Sequence, residues 1–232
     1  MRTPSLVFLF LPMLLVAACA TSPKPTPLFK PGTVTIEEPE PPRDYTLPNR
    51  VYLELVERIK AGAGPETFAE IRDAYVRTEH YQPYLGPEVG DVGAMIRSMN
   101  SEAWAACLET SNRILGYNYI SLDAHFGAMI CAFESGDEGA GDYHRGVLDG
   151  LMTAIRSTGD GKTTDSAFET TSTPELQAFI RLQGFEIVSQ ALMHDEERVY
   201  DRMTIKDPED GREFGWYFDI TTQWAIGFRD LE

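Results

Sequence analysis

The chain has 232 residues, with 36 acidic against 20 basic side chains, a formal net charge of −16, and 43% apolar and 11% aromatic residues. That apolar and aromatic mass builds a globular core and excludes a wholly disordered chain. The acid excess excludes a nucleic-acid partner, since phosphate contacts need clustered Lys and Arg, and three cysteines are too few for a disulfide-built miniprotein.

In chain order, Arg2 supplies a basic start, Leu6 to Val16 an apolar run, and Ala17-Ala18-Cys19 a small-residue exit. These are the three regions of a secretory signal, and the run is too short for a membrane span of about 20 apolar residues. Val16-Ala17-Ala18-Cys19 resembles a bacterial lipobox, so residues 1–18 are expected to be removed and Cys19 to be lipidated. Acyl chains contribute about 0.8 kcal/mol per buried methylene, and the membrane is therefore the first expected partner, held through Cys19. Ala20 follows, where an Asp would resemble an inner-membrane retention signal. The expected location is the outer membrane, facing the periplasm.

Residues 19–48 hold the lipidated Cys and eight prolines, from Pro23 to Pro48. Proline at that density blocks helix and favours extended chain, which makes the segment a tether. Residues 49–157 read as a helical region. Tyr52, Leu55, Val56 and Ile59 recur at helical spacing, and Gly62 and Gly64 end the run. Pro65 opens a second helix with the stripe Phe68, Ile71, Tyr75. After the loop Tyr81-Gln82-Pro83-Tyr84, a third helix carries Trp104, Cys107, Leu108, Ser111, Ile114 and Leu115. A fourth carries Leu122, Phe126, Met129 and Phe133. A fifth carries Val147, Leu148, Leu151 and Ile155. Cys107 and Cys131 lie on two of these helices, and a bridge or two buried thiols both remain open.

Residues 158–232 change period. A short strand is expected within Phe168 to Ser172 and a helix from Pro174 to Leu182. Alternating runs follow, with Phe185 to Ala191, Val199 to Ile205 and Phe214 to Ile220 on the apolar parity. The turn Asp207-Pro208-Glu209-Asp210-Gly211 joins the last two as a hairpin. Helices followed by strands imply α+β: antiparallel helical hairpins, then a small antiparallel sheet packed with them as one domain.

Several residues invite a chemical reading. His125 shares the core side of its helix with Leu122 and Met129, and His144 precedes Val147 and Leu148 on the next. Counting outwards from the turn at Gly136 places the two imidazoles within about one helical turn of each other on facing helices. They form either an acid/base or metal pair, assisted by Asp123 or Asp160, or a hydrogen-bonded tie between helices. No third ligand stands at metal-like spacing, so no metal or other cofactor is expected.

Arg156-Ser157-Thr158-Gly159-Asp160-Gly161-Lys162-Thr163 misses a phosphate-cradling loop by one glycine, and a helix precedes it where a strand is required. Gly159 and Gly161 still free backbone N–H groups for an anion, with Asp160 and Lys162 between and beside them. Asp201 shares the apolar parity of its strand, and is read first as an edge or strand-start aspartate bonded to backbone, and otherwise as a carboxylate with a raised pKa or a cationic partner. The chain contains no G-x-S-x-G, H-E-x-x-H, EF-hand loop or C-x-x-C.

The order of these motifs resembles a bacterial family catalogued as domain of unknown function 4919. The matching pieces are Tyr81-Gln82-Pro83-Tyr84, Asp123-Ala124-His125, Gly136-Asp137, Tyr143-His144-Arg145, Gly159-Asp160-Gly161-Lys162, Gln190, Tyr200-Asp201, and Asp207 to Gly211 ahead of Tyr217-Phe218-Asp219-Ile220. The resemblance implies hairpins similar to tetratricopeptide repeats followed by a small sheet, and it carries no activity. It does draw His125, His144, Asp160, Lys162, Gln190 and Asp201 into one expected polar site shared by the two halves. Two functions follow: an envelope module that binds a protein or peptide, or an envelope hydrolase or lyase working from the shared His/Asp site. A structural envelope protein without a site is a third.

Overall fold

A computed structural model describes residues 43–84, 86, 89–195 and 197–229, with the side chains of Val89, Phe228 and Arg229 excepted. The expected signal peptide, the lipidation at Cys19 and the tether up to Pro42 lie outside the described residues. Six helices come first: α1 (Thr46–Lys60), α2 (Glu66–Tyr75), α3 (Val89–Asn100), α4 (Trp104–Tyr117), α5 (Leu122–Glu134) and α6 (Glu138–Arg156). Each consecutive pair from α3 to α6 packs together, as do α1 with α2, and α2 crosses back to α6.

The turns between helices have local causes. Ser121 caps α5 by accepting from the Ala124 amide, and Asp137 caps α6 by accepting from Ala140. The α5/α6 hairpin is close-packed at Gly141, where a Cβ would lie 2.4 Å from the Phe133 ring, so the small residue there has to be glycine. In α1 the buried face is the expected one, Tyr52, Leu55, Val56 and Ile59. The helix starts at Thr46, however, and takes Pro48 into its first turn, where a missing N–H is harmless. The boundary expected at residue 49 therefore moves three residues towards the N-terminus.

Two helices were not expected, although Val92, Met95, Ile96 and Met99 of α3 do recur at helical spacing. In α3, Gly90, Gly93, Asp91 and Arg97 dilute the apolar pattern. In α8 (Thr221–Arg229) the sequence runs on from an alternating strand. The buried side of α5 also differs from the expected one. It is lined by Ala124, His125, Gly127, Ala128, Cys131 and Ala132, while Phe126, Met129 and Phe133 are half-buried. A helix enclosed by α3, α4, α6 and α7 needs small residues on its tightest side, and the large ones fill the flanks.

After a short 3₁₀ turn (Thr164–Ser166) come β1 (Phe168–Glu169), α7 (Thr173–Arg181), β2 (Glu186–Asp195), β3 (Arg198–Lys206) and β4 (Glu213–Asp219), closed by α8. The sheet order is β1-β4-β3-β2. The two long ladders are antiparallel, as expected, but β1 runs parallel to β4, so the sheet is mixed. Its apolar side sets Asp201, Met203 and Ile205 of β3 opposite Phe218, Trp216 and Phe214 of β4. Helix α7 brings Phe179 onto Trp216, Phe218 and Phe168, with ring centroids 5.0–6.2 Å apart. Helices and sheet thus share one core, in an α+β fold.

Candidate functional site

The histidine pair is where counting placed it. His125 Nδ1 and His144 Nδ1 are 3.0 Å apart, and His125 Nε2 lies 2.8 Å from the Tyr119 carbonyl oxygen. A carbonyl only accepts, so Nε2 of His125 carries the proton and its Nδ1 accepts from Nδ1–H of His144. Burial, reinforced by the neighbouring imidazole, pushes the His125 pKa down to about 3, and burial lowers that of His144 as well. Both rings are therefore neutral at neutral pH. Tyr119 and Tyr143 join hydroxyl to hydroxyl beside them, and Asp123 turns to Arg181 at 3.0 Å. No group of three His, Cys, Asp or Glu among the described residues is arranged to hold a metal ion.

The second pair is Asp160 with Lys162, 2.8 Å apart on an exposed loop. The Asp160 carboxylate also accepts from the Lys162 amide and the Ser166 hydroxyl, and these bonds hold its pKa well below the usual carboxylate range. The amides of Asp160 and Gly161 both donate to the Ser166 carbonyl, and the Gly161 carbonyl accepts from Tyr217. A Cβ on Gly159 would meet that Ser166 oxygen at 2.2 Å, and one on Gly161 would meet the Phe168 ring at 2.5 Å. The glycines serve close approach, and the loop is a clasp fastening the end of α6 to the sheet. The Gly161 amide is thereby engaged within the loop itself, in keeping with a structural turn.

The third pair is Gln190 and Asp201, joined by Nε2–H donating to Oδ2 at 2.7 Å. Asp201 is buried, which raises its pKa against the opposing pull of Gln190, and its Oδ1 has no partner among the described residues. Nearby Tyr84 is shifted upward by burial and then by the charge of Asp201. Among the described residues, no hydrogen bond, ion pair or ring contact links these three pairs to one another. His125 with His144, Asp160 with Lys162, and Gln190 with Asp201 thus stand as three pairs, each joined within itself.

The two halves do meet around a polar centre, built from other residues. Arg72 of α2 is 5% exposed and grips Glu175 of α7 in a two-pronged pair, Nε to Oε1 at 2.9 Å and Nη2 to Oε2 at 3.1 Å. Arg72 Nη2 also donates to the Glu169 carbonyl at 2.6 Å, and Glu175 Oε2 accepts from the amide and hydroxyl of Thr171. Burial opposes the guanidinium charge, yet Glu175 outweighs it and holds the Arg72 pKa above its ordinary value. The loop Tyr81-Gln82-Pro83-Tyr84 seals the joint: Tyr81 donates to the Thr171 carbonyl at 2.6 Å, and the Pro83 carbonyl accepts from Thr173.

Beside this pair opens a cavity of about 300 Å³, walled by α2, the segment 169–171, and the starts of β3 and α8. Sequence reasoning passed over these residues because the partners stand 103 positions apart. One signal was present: Arg72 follows Phe68 by four, a charge on an apolar face.

Cys107 and Cys131 are bridged, tying α4 to α5 across 24 positions. With the fold and these pairs in hand, comparison supplies the family. A model of the domain of unknown function DUF4919 matches residues 49–226. The chain belongs to that family. The DUF4919 match begins within α1 and ends within α8, so it takes in the clasp, the histidine tie and the Arg72–Glu175 joint alike. No curated protein and no solved structure matches the chain.

Proposed function

We propose that this DUF4919 protein is a lipid-anchored interaction module of the cell envelope, which captures an extended segment of a partner protein along the free edge of β2. Cys19 and the proline-rich chain after it supply the anchor and the tether, with the outer membrane, periplasmic side, as the location. The Cys107–Cys131 bridge suits an oxidising compartment outside the cytoplasm. Among the described residues, no helix is long and apolar enough to cross a membrane, which leaves attachment to the N-terminus.

The observation that carries the proposal is the edge strand. β2 has ten residues, pairs only with β3 among the described strands, and carries no charge from Ile187 to Met193. Val188 and Leu192 are 49% and 46% exposed along it. Proteins normally blunt such edges with Lys, Pro or short strands, because an open row of N–H and C=O groups templates strand addition. This one has only a bulge near Val188, and it suits an added strand whose apolar side chains alternate.

The test places a photo-crosslinking residue at Val188 or Leu192 in envelope preparations. One discrete adduct is expected, absent when the crosslinker sits at Glu209 in the far hairpin turn and absent when whichever of Val188 and Leu192 does not carry the crosslinker is replaced by Lys. Equal labelling from both sites overturns the reading.

A further inference from the structure

The geometry points to a second binding site, in the cavity beside Arg72, for a small ligand that carries a primary ammonium next to an oxygen acceptor. This is independent of the β2 edge and of the membrane anchor. The cavity is about 300 Å³, at the lower end of the size of small-molecule pockets.

Its charges divide into those already matched and those left over. Arg72 is matched by Glu175, and Arg198 by Asp219 at 3.3 Å across the rim. Asp73 and Glu169 also line the cavity with exposed side chains, and neither carboxylate makes a hydrogen bond or ion pair among the described residues. Asp73 and Glu169 act electrostatically on Arg72 without bonding to it, so Arg72 and Arg198 face four carboxylates, Glu175 and Asp219 included, and the residual field attracts a cation.

Two further groups point to a ligand rather than to bare solvated acid. Arg72 directs Nε and Nη2 at protein oxygens, which leaves Nη1 without a hydrogen bond among the described residues while Arg72 lines the cavity. Thr170 is 5% exposed, lines the same cavity, and its hydroxyl has no partner among the described residues. Buried polar groups are ordinarily hydrogen-bonded, so the unmatched Thr170 hydroxyl, with Arg72 Nη1 free on the same cavity wall, marks the place of a ligand's oxygen. Asp73 and Glu169 would hold the ammonium, and Arg72 Nη1 would donate to the oxygen beside it.

A peptide N-terminus and an amino sugar both present that pairing. Isothermal titration of the full chain in detergent separates them, using L-alanyl-L-alaninamide and glucosamine, each against its N-acetyl derivative. At least one amine is expected to bind with a Kd of about 1 mM or tighter, a typical weak-site affinity. The affinity should fall at least about tenfold on N-acetylation and in Asp73→Asn/Glu169→Gln, a change of about 1.4 kcal/mol in binding. Both substituted side chains are exposed, so the thermal midpoint of the variant should stay unchanged. The site is overturned if neither amine binds at about 10 mM, well above that affinity. It is equally overturned if the acetylated probe matches its amine, or if the double variant binds as the wild type does. Crosslinking at β2 reports on the other surface, so each result stands whatever the other gives.

Discussion

The helical half and the strand half of this molecule treat polar groups differently. In the helices, imidazole answers imidazole at His125 and His144, hydroxyl answers hydroxyl at Tyr119 and Tyr143, and a disulfide fastens α4 to α5. In the strand half, Asp201 Oδ1 and both amide atoms of Gln223 are buried without partners among the described residues, and β2 leaves one edge open. The helical half is built for cohesion. Ser111 Oγ of α4 is buried without a partner among the described residues too, but the strand half retains more unmet hydrogen-bonding capacity, and that is where a partner gains most by binding. Arg72 and Glu175 stand at the seam, one from each half.

That contrast breaks most sharply at the seam. Glu175→Gln or Arg72→Met should cost about 3–5 kcal/mol in urea unfolding, because each strands a buried charge. Arg72→Met/Glu175→Leu should cost far less than the two single losses together, because no charge is then left unmatched. Next in size, Cys107→Ser/Cys131→Ser should lower stability by about 2–4 kcal/mol, from a denatured chain released from a loop closed across 24 positions. A loss confined to the noise in denaturant titration would show that the helices cohere without their bridge.

Acid should loosen the same half. The folded state holds His125 and His144 neutral, with pKa values below the ordinary 6.5 and that of His125 at about 3. The unfolded state therefore binds more protons across that interval. Their contribution is complete above about pH 6.5 and is lost as pH falls towards 3. His125→Gln should flatten that slope in unfolding midpoints measured from pH 7 to 4.

Asp201 has the opposite sign. Its carboxyl is raised by burial, so protonation favours the folded state and its destabilising influence fades as pH falls. Asp201→Asn should thus raise the thermal midpoint at neutral pH, and a lowered midpoint would mean that the charge is needed. The smallest effect belongs to the edge. Val188→Lys or Leu192→Lys should move stability by no more than about 0.5 kcal/mol while abolishing the crosslink from the other position.

The sequence carried much of this architecture, and the gaps have physical causes. Helices with one apolar stripe, α1 and α6, are legible from spacing alone because a single face is buried. The histidine tie was legible too, since a short turn fixes which residues on facing helices meet. α3 and α8 were not, being diluted by glycine or hidden behind a strand. The parallel pairing of β1 leaves no local trace, because two residues hold no period. The Arg72–Glu175 joint and the cavity beside it depend on tertiary closure across 103 positions, for which a single sequence offers only the oddity of a charge on an apolar face.

The sheet order has a bearing on how the chain is made. β4 is the last of the described strands to be synthesised, yet it lies inside the sheet, between β1 and β3. Until residue 219 has emerged, β1 has nothing to pair with, and β2 and β3 form only a two-stranded hairpin, which is marginal in water. The clasp waits as well, since the Gly161 carbonyl is met by the amide of Tyr217. A chain released before β4 would keep its helices but leave β1 and β3 without the strand that joins them, so the strand half becomes durable only once β4 is in place.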